Sequence, residues 1–263
     1  MDSVELTGDE HPFTSWLSII ESRFSIQIDA LLHAALHSAL QNYATTLGCS
    51  LADLEIKAKE SRLQPDHWSM ILHLATNHET RFYRSPAALR LIVDIAKNLK
   101  SPRILSVGCS TGEEPYSIAV ELLNSGSCSF RIHATDISPL CIETAKAGLY
   151  PKHKAVTQIA AASVDPHHMR FHAWVREMIT FEQHNILLDR PIEFARPNIV
   201  LTQNMLIYYR PETRFGILDR LANLLEQGGY LITGPAETLS WPGRGLIRHL
   251  HPNLTVFQRS ADV

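Results

Sequence analysis

The sequence predicts an α/β fold, a parallel sheet with helices on both faces, preceded by a small all-α N-terminal domain. From residue 101 onward, short apolar runs alternate with helical patterns, which is typical of βαβ units. Residues 13–75 instead repeat apolar side chains at three- and four-residue spacing, with no glycine or proline between Phe13 and Leu47. We therefore expect a helical domain over residues 1–75 and an α/β domain over residues 76–263.

The N-terminal pattern predicts four helices. Apolar spacing indicates helices in residues 16–26 and 28–44. A third helix begins near Ser50, which is a suitable N-cap, and a fourth follows Pro65.

Strands and helices alternate through the α/β region. The strands are expected in residues 102–108, 130–136, 178–186, 197–204 and 230–237, with a terminal hairpin in 247–260. The helices are expected in residues 114–126, 138–150 and 211–229. Between them, residues 151–176 have no clear period, although the spacing of His168 and His172 favours a solvated helix.

Composition excludes several classes of protein. The chain has 263 residues and a net charge of −3, and it lacks the dense basic clusters of a nucleic-acid-binding protein. No apolar run approaches the roughly 20 residues that cross a bilayer, and the N-terminus lacks the plan of a signal peptide. The four cysteines and the scattered histidines show no metal-ligand spacing. We expect a cytoplasmic protein with reduced thiols, no metal site and no membrane insertion.

The stretch Gly108–Gly112 matches Gly-x-Ser-x-Gly, the nucleophile elbow of serine hydrolases. It also reads as a glycine turn between a strand and a helix, as in nucleotide-type cofactor sites. The elbow of a hydrolase follows several strands, whereas the strand before Ser110 is the first strand of this region and everything upstream of that strand is predicted to be helical. An acid, Asp136, ends the next predicted strand, where a carboxylate can accept hydrogen bonds from ribose hydroxyls. These features favour a cofactor turn.

The charge beside this turn narrows the choice of cofactor. The turn lacks the third glycine of G-x-G-x-x-G, and Glu113 and Glu114 stand where a pyrophosphate would meet the helix N-terminus. Two carboxylates would repel a dinucleotide but accept a cationic ligand without phosphate. S-adenosylmethionine, with a sulfonium, an ammonium and a ribose, fits that description. As an alternative, the two acids only complement the helix dipole.

Several stretches together resemble the chemotaxis-receptor glutamate methyltransferases (CheR type), which are class I S-adenosylmethionine-dependent enzymes with a Rossmann-like sheet. They occur in family order over residues 76–239: TNHETRFYR (76–84), SVGCSTGEEPYSIA (106–119), ATDIS (134–138), AKAGLYP (145–151), HNIL (184–187), LTQNMLIYYRPE (201–212) and LLEQGGYLITGPAETL (224–239). The resemblance implies methyl transfer from S-adenosylmethionine to glutamate carboxylates in the cytoplasmic domains of methyl-accepting chemoreceptors, with S-adenosylhomocysteine as product.

The resemblance also implies the site residues. Arg84 and Tyr208 would be catalytic and would orient the substrate carboxylate. The implied cofactor contacts are His78, Thr80 and Arg84 toward the methionine end, Gly108 in the turn, Glu114 on the ammonium, Asp136 on the ribose, Asn185 and Ile186 beside the adenine, and Asn204 and Met205 beside the sulfonium. Alternatives remain for three of them: Arg84 as a surface ion-pair partner, Asn185 as a turn residue and Tyr208 as a core aromatic.

The sequence departs from the family in three respects. Residues 1–75 carry a net charge of −6, whereas the helical unit of the family is typically basic. His78 lies two residues before Thr80, where the family has asparagine; Asn77 lies three before it, so His78 or a bulged Asn77 takes that position. The segment 150–178 lacks the glycine turn expected of the small sheet that binds a receptor tail in tethering members. We expect a reduced insertion and no receptor-tail pentapeptide tethering.

Three functions stay open at this point. The first is a protein-glutamate methyltransferase of a chemosensory system. The second is an S-adenosylmethionine-dependent methyltransferase of another protein or a small molecule. The third is a non-catalytic module that senses S-adenosylmethionine.

Overall fold

A computed structural model describes residues 12–187 and 191–260. The chain divides into two compact units. One unit comprises residues up to Asn77 together with Tyr208–Arg210, and the other comprises His78–Ile207 and the residues from Pro211 onward. The sequence-based boundary, after residue 75, lies two residues before this division.

The first unit is helical. Its helices are α1 (Pro12–Phe24), α2 (His33–Thr46), α3 (Leu51–Lys59) and α4 (Pro65–Ala75), with a 3-10 turn at Ala30–Leu32 before α2. Apolar side chains spaced three and four apart pack into one core, which includes the fully buried Trp16, Ile20, Leu40, Leu54 and Ile71. The predicted cap of α3 is confirmed: Asp53 N donates to Ser50 Oγ at 3.1 Å, and Ser50 N donates to Asp53 Oδ2 at 3.0 Å.

The second unit is built on a seven-stranded sheet, in the order β6-β2-β1-β7-β8-β10-β9. The strands are β1 (Arg103–Val107), β2 (Arg131–Asp136), β6 (Ile179–Gln183), β7 (Ile199–Thr202), β8 (Tyr230–Thr233), β9 (Leu246–His251) and β10 (Leu254–Arg259). β6, β2, β1, β7 and β8 pair in parallel, whereas β10 pairs antiparallel with β8 and β9. The predicted parallel sheet and the terminal hairpin are confirmed.

Helices cover both faces of the central strands. Successive residues of β1 and β7 point to opposite faces, yet Ile104–Val107 and all of β7 are buried. The helices of this unit are α5 (Pro86–Ala96), α6 (Glu113–Asn124), α7 (Pro139–Ala147), α8 (Ala173–Arg176) and α9 (Pro211–Leu224). Of these, α5 and the short α8 are helices that the sequence analysis does not assign.

The expected helix at His168 and His172 is wrong. Residues His168–Phe171 form strand β5, because Met169 and Phe171 are buried and alternate with the more exposed His168 and Arg170. A period of two therefore determines the structure here, and the four-residue spacing of the histidines does not.

A small antiparallel sheet forms in the segment 150–178, where we expected a reduced insertion. Its order is β3 (Leu149–Pro151), β5 and β4 (Ala161–Ser163). The turn between β4 and β5 uses Asp165, whose Oδ1 accepts from the backbone N–H groups of His167 and His168, both at 2.7 Å. A glycine turn is therefore not required. That this segment tethers no receptor tail stays a prediction.

Within the described ranges, no helix combines the length and the apolar character that a membrane span requires.

Candidate functional site

The turn after β1 is held against the end of β2. Gly108, Ser110 and Gly112 have positive φ values of 77°, 49° and 97°. The N–H groups of Gly108 and Cys109 both donate to the carbonyl of Thr135, at 2.8 and 3.0 Å. The backbone of the turn thus follows the carboxyl edge of two parallel strands, which is where ligands bind in open α/β sheets.

Two observations require glycine at positions 108 and 112: the positive φ of each residue and the closeness of neighbouring atoms to the place where a Cβ would lie. A Cβ on Gly108 would lie 2.7 Å from Met205 Cγ. A Cβ on Gly112 would lie 2.8 Å from Ala145 Cβ and 2.9 Å from the Tyr150 hydroxyl. Any side chain at either position would displace these neighbours.

Asp136 ends β2, as predicted, and fastens the turn. Its Oδ2 accepts from Ser110 N at 2.8 Å, and its Oδ1 accepts from Ser138 N at 2.9 Å. Burial raises the pKa of Asp136, and these two hydrogen bonds oppose the rise. An ionised carboxylate offers about four lone-pair sites. Asp136 can therefore hold the turn and still accept hydrogen bonds from a ligand.

Ser110 is placed as a structural residue of this turn. Its hydroxyl donates to the backbone carbonyl of His78 at 3.2 Å, whereas the His78 ring faces Cys141, with Nδ1 and Sγ 3.1 Å apart. A serine nucleophile is activated through an imidazole nitrogen on its hydroxyl. The partners of Ser110 therefore favour the cofactor turn over the hydrolase elbow.

Two acids begin α6 and have different surroundings. Glu114 Oε1 accepts from Ser106 Oγ of β1 at 2.8 Å, and Glu113 Oε2 accepts from Thr111 Oγ1 at 2.7 Å. Burial raises the pKa of Glu114 to about 7; the Ser106 hydrogen bond opposes this rise and the negative charge of Glu237 adds to it. A cationic ligand would stabilise the ionised form of Glu114.

Glu237 is a third acid of the site, and the sequence analysis assigned it no role. It is 2% exposed. Its Oε1 accepts from the N–H groups of Met205 and Leu206, at 3.0 and 2.9 Å, and its Oε2 accepts from Gly234 N at 2.7 Å. Burial raises the pKa of Glu237, and the backbone hydrogen bonds oppose the rise. The carboxylate thus braces the segment that follows β7 against the segment that follows β8.

Asn204 and Met205 are positioned by this brace. Asn204 has a φ of 59°, in the left-handed region that asparagine tolerates better than most residues. The next residue, Met205, places its side chain over Gly108. The structure therefore brings Met205 and the turn after β1 together.

Asn185 and Ile186 follow β6. The preceding residue, His184, donates its N–H to the carbonyl of Asp136 at 2.9 Å, so this segment begins beside the end of β2. Asn185 Oδ1 accepts from Leu187 N at 3.0 Å, which is the turn role considered as an alternative. Ile186 is buried, and its carbonyl accepts from Arg220 Nη1 of α9 at 2.6 Å.

The remaining predicted residues lie on three stretches. Thr80 is half-buried; in the sequence it lies between His78 and the start of α5. Arg84 is exposed, its Nη1 donates to the carbonyl of Glu79 at 2.6 Å, and its positive charge acts on Glu114. Tyr208 ends a 3-10 turn, Leu206–Tyr208, in the part of the chain grouped with the helical unit, where its carbonyl accepts from Gln27 N at 2.8 Å.

These residues fit S-adenosylmethionine better than a phosphate-bearing cofactor. The carboxylates of Asp136, Glu114 and Glu237 all lie at the edge of the sheet formed by β1, β2, β7 and β8. Their charge favours a cation and opposes a phosphate.

Comparison with known proteins also indicates S-adenosylmethionine as the cofactor. Residues 78–250 match the family described as CheR methyltransferase, SAM binding domain. The chain is 30% identical over 208 residues to a "probable chemotaxis protein methyltransferase" of Rhizobium etli, covering 71% of this chain and 75% of that protein. It is 32% identical over 188 residues to an uncharacterised 104.1 kDa protein of Rhodobacter capsulatus, covering 61% of this chain and 18% of that protein.

Among solved structures, magnesium protoporphyrin IX methyltransferase of Synechocystis with bound SAM matches at 16% identity and a TM-score of 0.44, covering 66% of this chain and 77% of that one. This distant similarity carries no functional argument. The family match spans well over half of the chain, and Asp136 and Met205 both contact the turn after β1. The chain belongs to the CheR methyltransferase family, whose cofactor is S-adenosylmethionine.

Proposed function

We propose that this protein transfers methyl groups from S-adenosylmethionine to glutamate side chains of methyl-accepting chemoreceptors, giving glutamyl methyl esters and S-adenosylhomocysteine. The observation that carries the proposal is the acid-lined glycine turn after β1, in a chain of the CheR family. The name of the Rhizobium etli relative supports the chemosensory context. The partners would be the cytoplasmic domains of receptors, so we place the protein in the cytoplasm.

The residues around the turn would hold the cofactor. Asp136 would use the lone-pair capacity that its backbone hydrogen bonds leave for the ribose hydroxyls, and Glu114 would pair with the ammonium group. Ile186 would pack against the adenine beside Asn185. Gly108, Asn204 and Met205 would line the sulfonium, with His78, Thr80 and Arg84 toward the methionine end.

The proposed chemistry needs alignment more than proton transfer. When bound, S-adenosylmethionine supplies an electrophilic methyl group. The glutamate side chain has an ordinary pKa of about 4.3, so it is already ionised at neutral pH and no general base is required. The chain must instead orient the incoming carboxylate and exclude water from it.

A cation is needed for that orientation because the site itself is acidic. Glu114 and Glu237 would repel an incoming carboxylate. Arg84, whose charge already acts on Glu114, would offset this repulsion and direct the substrate oxygen. We propose Arg84 as the orienting cation; that Tyr208 is also catalytic stays a prediction.

The reaction class can be tested with labelled cofactor. We expect the protein, incubated with tritiated-methyl S-adenosylmethionine and membranes from its own source, to label a receptor band. Alkali should release that label as volatile methanol, because carboxyl methyl esters hydrolyse readily. Replacing Glu114 by Gln should reduce labelling at least tenfold, whereas Glu143→Gln, an exposed change on α7, should not. Label that survives alkali would exclude a glutamyl ester.

Cofactor binding should depend on pH through Glu114. The pKa of about 7 means that Glu114 is mostly protonated at pH 6 and mostly ionised at pH 8 in the unliganded protein. Only the ionised form pairs with an ammonium group. The affinity for S-adenosylhomocysteine should therefore rise about tenfold from pH 6 to pH 8, in proportion to the ionised fraction. Calorimetry across this range measures the rise; Glu114→Gln should abolish it, and a flat wild-type profile would contradict the assignment.

The turn itself can be tested with a pair of glycine substitutions. Gly112 and Gly126 both have positive φ, of 97° and 86°, but a Cβ has open space only at Gly126. Both alanine variants carry backbone strain, and only Gly112→Ala also pushes on Ala145 and Tyr150. We expect Gly112→Ala to weaken S-adenosylhomocysteine binding about tenfold or more and Gly126→Ala to leave it within twofold. Equal affinities for the two variants would remove this turn from the cofactor site.

A further inference from the structure

Strand β9 forms an exposed edge of the seven-stranded sheet. Among the described residues it pairs with β10 alone, over six residues and without a break in the register. Residues 247–250 are all exposed, and the side chains of Ile247 and Leu250 are 52% and 96% exposed. Proteins usually protect such an edge with a short strand, a proline, a bulge or charged side chains. Of these, β9 has only the charge of Arg248, so its edge is open to another strand.

The backbone of β9 presents hydrogen-bonding groups along this open edge. In an antiparallel pair, residues that exchange hydrogen bonds across the ladder alternate with residues that do not. Arg259 of β10 donates its N–H to the carbonyl of Gly229 at 2.8 Å, so it faces away from Leu246, its opposite residue on β9. By the same alternation, the N–H and carbonyl groups of Arg248 and Leu250 point away from β10. Across the described ranges, no other residue hydrogen-bonds to these groups.

The charge around β9 is positive. Residues 238–260 contain three arginines, two histidines and neither Asp nor Glu, in a chain that has 27 acidic residues. Arg259 is occupied, because its Nη1 donates to two backbone carbonyls, at 2.8 and 3.2 Å. Arg244 and Arg248 are exposed, and neither forms an ion pair or a side-chain hydrogen bond with any residue that the structure describes. Both cations are therefore available to an anionic partner.

This charge decides what kind of strand fits the edge. A second copy of the chain would place one basic strand beside another, and like charges directly opposite each other destabilise a strand pair. An acidic strand would instead place a carboxylate opposite Arg248, with apolar side chains opposite Ile247 and Leu250. In strand addition, main-chain hydrogen bonds supply affinity and alternate side chains supply specificity.

We propose that β9 binds an extended acidic segment of a partner protein, which adds one strand to the sheet. This surface does not depend on the proposed function. In the sheet order, β9 lies four strand spacings from β1, roughly 19 Å at about 4.8 Å per spacing. The segment and the cofactor can therefore be bound at the same time.

The probe for this surface is the fluorescein-labelled peptide Thr-Val-Glu-Glu-Val-Thr. In an antiparallel pair it can place a glutamate opposite Arg248 and valines opposite Ile247 and Leu250. We expect a saturable rise in fluorescence anisotropy with the full chain, and excess S-adenosylhomocysteine should not reverse it. The matched peptide Thr-Val-Lys-Lys-Val-Thr should bind at least tenfold more weakly. N-methylation of the second and fourth residues of the acidic peptide removes the N–H groups that would face β9, so it should also weaken binding at least tenfold.

Two variants of the chain locate the binding surface. Arg248→Glu should weaken binding of the acidic peptide at least fivefold and strengthen binding of the lysine peptide. Arg90→Glu, which changes an exposed arginine on α5, should alter neither affinity by more than twofold. Leu250→Pro removes an N–H on the open edge and no hydrogen bond between β9 and β10, and it should weaken binding of the acidic peptide at least fivefold.

Four results would overturn the proposal. The first is wild-type protein that gives no saturable change in anisotropy. The second is an N-methylated peptide that binds as tightly as the parent peptide, and the third is unchanged affinity in Arg248→Glu. The fourth is a dimer in sedimentation that Leu250→Pro dissociates, because a second copy would then cover β9.

Discussion

One carboxylate, that of Asp136, joins the two strand ends on which the candidate site is built. It accepts from Ser110 N in the turn after β1 and from Ser138 N at the start of α7. Without it, two backbone donors at a buried strand edge would lose their acceptor, and the positive-φ turn would lose its attachment to β2. Because an ionised carboxylate offers about four lone-pair sites, the same group can also accept a hydrogen bond from a ligand.

A second buried carboxylate, that of Glu237, has the same function on the other side of β1. It ties Met205 and Leu206 to Gly234 through three backbone hydrogen bonds. Met205 then lies over Gly108, a contact that any side chain at 108 would block. The polar framework of the site thus uses ionisable acids as backbone acceptors, and the resulting negative charge favours a cationic cofactor without phosphate.

The sequence predicted the parts of the site that depend on local order along the chain. The glycine turn and the acid at the end of the next strand are separated by one helix, so their meeting at a sheet edge follows from the βαβ pattern. Glu237 was missed because its partners Met205 and Leu206 are about thirty residues away, and no periodicity links them. The family match covers residues 78–250, and the motifs that carry the resemblance cover residues 76–239.

The sequence analysis was wrong about the segment that contains His168 and about the turn before it, and both errors arose from contacts within that segment. His168 and His172 suggested a helix by their spacing, but the alternating burial of Met169 and Phe171 makes the segment a strand. The adjoining turn uses the Asp165 carboxylate to accept hydrogen bonds from backbone N–H groups. The absence of glycine therefore did not predict the absence of a turn between β4 and β5. In the first case the burial of Met169 and Phe171 sets the backbone conformation, and in the second the hydrogen bonds of the Asp165 side chain set it. Neither contact can be read from the composition of the segment.

The most direct test of this account is calorimetric titration of S-adenosylhomocysteine into Asp136→Asn protein. The amide keeps the size of the side chain but turns one acceptor into a donor facing a backbone N–H. We expect at least tenfold weaker binding, since an unsatisfied buried donor costs about 1–3 kcal/mol. Asp165→Asn, which alters another carboxylate that accepts from backbone N–H groups, is the control and should bind within twofold of wild type. Wild-type affinity in Asp136→Asn would contradict the central role of this carboxylate.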